Sequence, residues 1–146
     1  MGSILRMRTF PGRFESLVSI SDFVTQAAED AGLDKRAIHA VQLAVDEACS
    51  NIIQHAYGGE GRGDIECTCR IDGAGLTVIL RDEGCRFDPA AVPEPDASPT
   101  LDTCSGGGLG LFFMRQLMDE VHFEFDQGDG NVLTMSKYRE GSFADA

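Results

Sequence analysis

The hydrophobic period changes from helical to alternating past the paired glycines Gly58-Gly59, and that change limits what the chain can fold into. Between Phe14 and Ala56 apolar residues recur three and four apart, whereas from Ile65 to Leu80 they recur every second residue. The first spacing places side chains on one stripe of a helix and the second on one face of a strand. Helical segments therefore precede a sheet-forming segment. The first helical stripe is Phe14, Leu17, Val18, Ile20, Phe23, Val24, Ala27, Ala28 and Ala31, with Gly32 placed to stop it. The second is Ile38, Val41, Val45, Ala48 and Ile52. Asp34 stands at its N-cap, and Gly58-Gly59 closes it after about Ala56. Ahead of both, Ile4 to Thr9 reads as a short strand ended by Pro11-Gly12.

Ile65, Cys67, Cys69 and Ile71 alternate with Glu66, Thr68 and Arg70, the pattern of a half-buried strand. Asp72-Gly73-Ala74-Gly75 is turn material, and Leu76 to Leu80 is a second strand, so the two are expected to pair as an antiparallel hairpin. Residues 88–105 carry no period and include Pro93, Pro95 and Pro99, which disfavour helix and strand alike. The stretch ends in Gly106-Gly107-Gly108-Leu109-Gly110. A helix over Leu111 to Met118 follows, then strands near Val121 to Phe125 and Val132 to Tyr138 joined through Gln127-Gly128-Asp129-Gly130. Residues 139–146 read as a frayed tail. This order predicts a single α+β domain over 1–146, a two-layer sandwich in which a mixed, mostly antiparallel sheet carries its helices on one face.

With 12 basic against 24 acidic residues the formal charge is -12, which repels a phosphate backbone or an anionic membrane surface. Direct nucleic-acid binding is excluded on that ground; Arg6, Arg8 and Arg13 are too scattered to form a tract. No stretch has the length of a membrane span, and Arg6 and Arg8 interrupt the place of a signal peptide's apolar run, so the cytoplasm is the expected compartment. Five cysteines without regular spacing predict a fold not held by disulfides. Cys67 and Cys69 share a strand face, and their reading as small packing residues is preferred to zinc ligation.

Several polar residues invite chemistry. Glu47, Asn51 and His55 are spaced by four, and each step turns a helix by roughly 400°, so they climb one edge beside the apolar stripe. That edge is a solvated helix side or a site. Asn51 has an oxygen to offer a hard cation such as Mg²⁺, and Glu47, one turn earlier, could orient and deprotonate an attacking hydroxyl. His55 is better read as a structural residue. Asp82-x-Gly84 at a strand end is common in turns. Alternatively, a buried carboxylate accepts a hydrogen bond from the exocyclic amino group of adenine, and a glycine two residues on leaves a flat base room against backbone. The glycines before the helix suit phosphate, yet they fit neither the P-loop nor the dinucleotide fingerprint.

The order of these elements is more specific than any of them alone. Glu47-x-x-x-Asn51 on a helix, Asp82-x-Gly84 after a strand, a long loop and Gly108-x-Gly110 before a helix resemble the GHKL ATPase superfamily, whose nucleotide-binding domain is the Bergerat fold. The closer likeness is to the anti-sigma factor serine/threonine kinases. It rests on Val45 to Ala48, Asn51 to Tyr57, Asp82-Glu83-Gly84 with Phe87-Asp88-Pro89, Gly108 to Leu111, Gln116 to Val121, and Asn131-x-Leu133-Thr134-Met135-x-Lys137.

The resemblance implies ATP and Mg²⁺ as cofactors. By it, Glu47 is the catalytic base, Asn51 holds Mg²⁺ on the triphosphate, and Asp82 selects adenine with Gly84 and Thr134 nearby. Gly106, Gly108, Leu109 and Gly110 flank the phosphates, and residues 90–105 form a lid. Gly107 departs from the larger polar or basic residue frequent in relatives, and Cys85-Arg86 falls in a variable part of the adenine box. The implied partners are an anti-sigma-factor antagonist that accepts the phosphoryl group and a sigma factor that is held and released. A homodimer through the sheet side is a further expectation of the resemblance. A non-catalytic, ATP-gated module that only sequesters a partner is the alternative. A domain cut from a histidine kinase fits worse, because no phosphoacceptor helix precedes the ATP region and His39 lies within the motif helix itself.

Overall fold

The computed structural model describes residues 2–85, 113–126 and 130–140. Strand β1 (Ile4–Pro11) leads into helices α1 (Ser16–Asp30) and α2 (Lys35–Asn51), and α2 continues into a π-helical turn, Ile52–Ala56. Strands β2 (Asp64–Ile71) and β3 (Gly75–Asp82) follow, then helical residues 113–117 (α3), β4 (Glu120–Asp126) and β5 (Gly130–Tyr138).

The strands form one sheet in the order β1-β2-β3-β5-β4. Each of the four neighbouring pairs is antiparallel, so the described sheet is purely antiparallel where a mixed one was expected. The β2–β3 hairpin turns through Asp72, whose carboxylate accepts from the amides of Ala74 and Gly75 at 2.9 and 3.2 Å, an Asx turn of the kind its sequence predicts. Register decides which side chains meet the helices. Cys67 pairs with Leu80 and Cys69 with Val78, so the alternating set Ile65, Cys67, Cys69 and Ile71 faces inward and is buried.

Against that face lie Ile20, Val24, Ala27 and Ala28 of α1 and Val41, Ala44, Val45, Ala48 and Cys49 of α2, all buried, with Ile38 half-covered beside them. The predicted stripes are thus the faces that pack. Small residues at 27, 28, 44 and 48 allow the two helices to approach each other and the sheet closely. Asp34 caps α2 as expected, its side chain accepting from the Ala37 amide at 2.8 Å. Edge strand β1 is fastened by an edge-to-face contact of Phe10 on Phe23, with ring centroids 5.8 Å apart, and by Arg6 on Asp30 at 2.7 Å. On β5, inside the opposite edge strand, Lys137 donates to the Leu117 carbonyl at 2.8 Å and the Tyr138 amide donates to Asp119 at 2.7 Å, tying the α3 segment to the sheet.

Cys49, Cys67 and Cys69 are free thiols in the core. Burial pushes the Cys49 thiol up to about 12, aided by the carboxylates of Asp46 and Asp82, so it remains protonated at neutral pH. The hydrogen bond that Cys67 shares with Cys69, together with burial, raises the Cys67 thiol above its ordinary value. No described helix is long and apolar enough to cross a membrane.

Candidate functional site

The end of α2 is where the structure departs most from regular geometry. The Tyr57 amide donates to Ile52 O at 2.8 Å, a bond five residues back, so the last turn is π-helical where a plain α-helix to Ala56 was expected. Its extra residue per hydrogen-bonded turn takes His55 off the line set by Glu47 and Asn51. Those two remain on α2 proper, both half-buried beside the apolar stripe.

Asn51 carries the one buried side-chain polar atom without a hydrogen-bond partner among the described residues, its Nδ2. An amide nitrogen shut from water without an acceptor costs about 1–3 kcal/mol unless something fills the need. Such an amide fits a residue that meets a metal–phosphate group, whose water and phosphate oxygens accept while the metal takes the carbonyl oxygen.

Asp82 closes β3 and is only 4% exposed. Its Oδ1 accepts from the Gly84 amide at 2.8 Å and from Asn131 Nδ2 at 2.9 Å. Burial lifts the Asp82 carboxyl above its ordinary value, against the opposing effects of the Asn131 and Gly84 hydrogen bonds. A carboxylate is therefore held out of water at the sheet end, where donors are few and one more would be welcome.

The turn after Asp82 is locked to the π turn. The Cys85 amide donates to Ala56 O at 2.6 Å, and the Glu83 amide donates to the Tyr57 hydroxyl at 3.0 Å. That hydroxyl in turn donates to Asp64 O at 2.6 Å. A Cβ on Gly84 would lie 2.5 Å from the carbonyl carbon and oxygen of Ala56. Glycine at 84 is thus required by helix–turn contact, whereas its sequence context suggested room for a base. Gly63 is under a similar constraint, since a Cβ there would run into the Tyr57 ring. These contacts bring the Asp82-x-Gly84 turn up against the end of the helix that bears Glu47 and Asn51.

The remaining predicted residues divide. Thr134 pairs with Ile79 and His122, whereas Asp82 and Asn131 pair with each other three positions along β5. Strand alternation then puts Thr134 on the sheet face away from the helices and Asn131 on the face toward them, so Thr134 does not join Asp82. Asn131 was missed as a site residue; its place in Asn131-x-Leu133-Thr134 beside a turn glycine marks a strand start but not its partner. Gly106, Gly108, Leu109 and Gly110, and the lid at 90–105, lie outside the described residues, as does most of the tail.

A helix-and-antiparallel-sheet sandwich with Glu47 and Asn51 on the helix above a buried sheet-end aspartate is the arrangement of a histidine kinase-like ATPase domain. The family model of that description, Histidine kinase-like ATPase domain, matches residues 10–137. Among relatives, the Serine-protein kinase RsbW of Bacillus subtilis (strain 168) is 37% identical over 113 residues, covering 74% of this chain and 69% of the relative. The proteins of that name from Bacillus pumilus (strain SAFR-032) and Halalkalibacterium halodurans are 34% and 33% identical, spanning 88% and 89% of this chain and 82% and 80% of their own lengths. The chain belongs to the anti-sigma factor serine/threonine kinases of the GHKL superfamily.

Proposed function

We propose that this chain binds ATP with Asp82 reading the adenine amino group, and transfers the γ-phosphoryl group to a serine or threonine of a small anti-sigma-factor antagonist. The observation that carries this reading is the unpartnered buried amide of Asn51, one turn beyond Glu47, on a helix whose end packs on the Asp82 turn. Asn51 would hold Mg²⁺, which when bound neutralises phosphate charge and helps align the triphosphate. Glu47 stands one turn back on the same helix; as a base it would take the acceptor hydroxyl's proton as the new phosphoester bond forms and the bond to ADP breaks. A buried carboxylate favours adenine over guanine, because guanine presents a carbonyl where adenine presents an amino group.

Phosphorylation of the antagonist would release it and leave this protein to hold a sigma factor in the cytoplasm. The test is transfer from labelled ATP to the cognate antagonist with Mg²⁺ present. Glu47→Ala should lower the transfer rate by about 10²–10⁴-fold while ATP still binds. Transfer undiminished in that variant would refute the base assignment. Partner switching that survives with no transfer at all would favour the ATP-gated sequestering module.

A further inference from the structure

Asn131 holds both ends of the turn that follows β3. It is 2% exposed and begins β5 directly opposite Asp82, the two being a register pair across the β3–β5 ladder although 49 residues apart in sequence. Its Nδ2 donates to Asp82 Oδ1 at 2.9 Å and to Cys85 O at 3.0 Å. Both neighbours present acceptor oxygens, and the amide turns its NH₂ side to them. One amide group therefore bridges the two ends of the Asp82-Glu83-Gly84-Cys85 turn.

The bridge bears on the carboxylate's direction. Among the described residues the protein's donors to Asp82 converge on Oδ1, from the Gly84 amide and from Asn131. Two donors on one oxygen fix the plane of the group and leave Oδ2 as the oxygen with acceptor capacity to spare. An ionised buried acceptor with a fixed plane forms a stronger and more selective hydrogen bond than one that must be immobilised on binding. We propose that Asn131 is the positioning residue for purine recognition: it aims Oδ2 of Asp82 at the exocyclic amino group of the base and so sets the affinity for 6-aminopurine nucleotides. The inference rests on the reading of Asp82 as the adenine acceptor.

Asn131 touches no nucleotide in this role, so its effect should depend on whether the ligand has an amino group. The experiment titrates the full-length chain with two nucleotides in Mg²⁺ by calorimetry: ATP, and purine riboside triphosphate, which lacks the 6-amino group. Asn131→Leu keeps the side-chain shape and removes the donors, and Asn131→Ala, which also lacks a donor, serves if the leucine variant does not fold. Expected is a loss of about tenfold in ATP affinity, the scale of one charge-assisted hydrogen bond, with less than threefold change for purine riboside triphosphate. Equal losses on both nucleotides would mean that Asn131 only supports the fold, and no loss on either would mean that Asp82 needs no aiming; each overturns the inference. Asp82→Ala separates the two levels. If the parent's preference for ATP over the analogue persists in Asp82→Ala, the acceptor reading itself fails. If the preference vanishes there but is intact in the Asn131 variants, the acceptor reading stands and the positioning role falls.

Discussion

Replacement of Gly84 by alanine adds one methyl group, and the structure states what it meets. The new carbon would lie 2.5 Å from both the carbonyl carbon and oxygen of Ala56, and 2.7 Å from its Cβ. These are mostly backbone atoms, so no side chain can swing aside; either the turn or the π-helical end of α2 must retreat. Overpacking of this kind costs about 1–3 kcal/mol. Retreat also stretches the Cys85 amide's 2.6 Å bond to Ala56 O, a loss of about 0.5–1.5 kcal/mol. The sum is roughly 2–4 kcal/mol, or about 5–15 °C in Tm for a domain near 150 residues. Because the Gly84 amide also donates to Asp82 Oδ1, displacement of the turn should weaken ATP binding by about tenfold or more. The assay is thermal and urea unfolding beside an ATP titration. Gly73→Ala is the control, since a Cβ there meets nothing within 4 Å, and it should leave both readouts near the parent's. If Gly84→Ala melts within about 2 °C of Gly73→Ala, the close-approach argument is wrong.

Two further outcomes follow from the same region. Tyr57→Phe removes the hydroxyl that donates to Asp64 O and accepts from the Glu83 amide; partial access of water to this half-buried ring limits the cost to about 1–2 kcal/mol, read as a lower urea midpoint. Asp82→Asn should separate stability from function. Burial raises the native Asp82 value above the unfolded one, so the native state binds the proton more readily, and stability declines as pH climbs from the ordinary carboxylate value through the raised one. The amide removes that penalty above the window. The variant should therefore melt at or above the parent's temperature at pH 7–8, with the gap closing as pH falls, while ATP binding weakens at every pH; a variant less stable at pH 8 than at pH 4, relative to parent, would contradict the sign.

The helices and strands were legible because their signals are local. The stripes of 14–31 and 38–52, the Asp34 cap, the alternation of 65–71 and the Asp72 turn each depend on residues a few positions apart, and each appears within a residue or two of its expected place. The π turn at Ile52–Ala56 was not legible, for its residues are ordinary helix formers; what accompanies the distortion is the docking of Ala56 and Tyr57 on the turn after β3. Thr134 and Asn131 lie three apart on one strand, and which of them faces the helices follows from register across the ladder to β3.

By itself, then, the sequence determined which segments are helical or extended, which of their faces are apolar, and which polar residues stand in an order that resembles a GHKL kinase. Tertiary structure alone decided that Gly84 is glycine for the sake of Ala56, that Asn131 rather than Thr134 meets Asp82, and that the amide nitrogen of Asn51 is shut from water without a partner among the described residues. The physical reason is range. Periodicity and capping arise between neighbours along the chain, whereas close approach, desolvation and the aim of a buried carboxylate are set by atoms that only folding brings together.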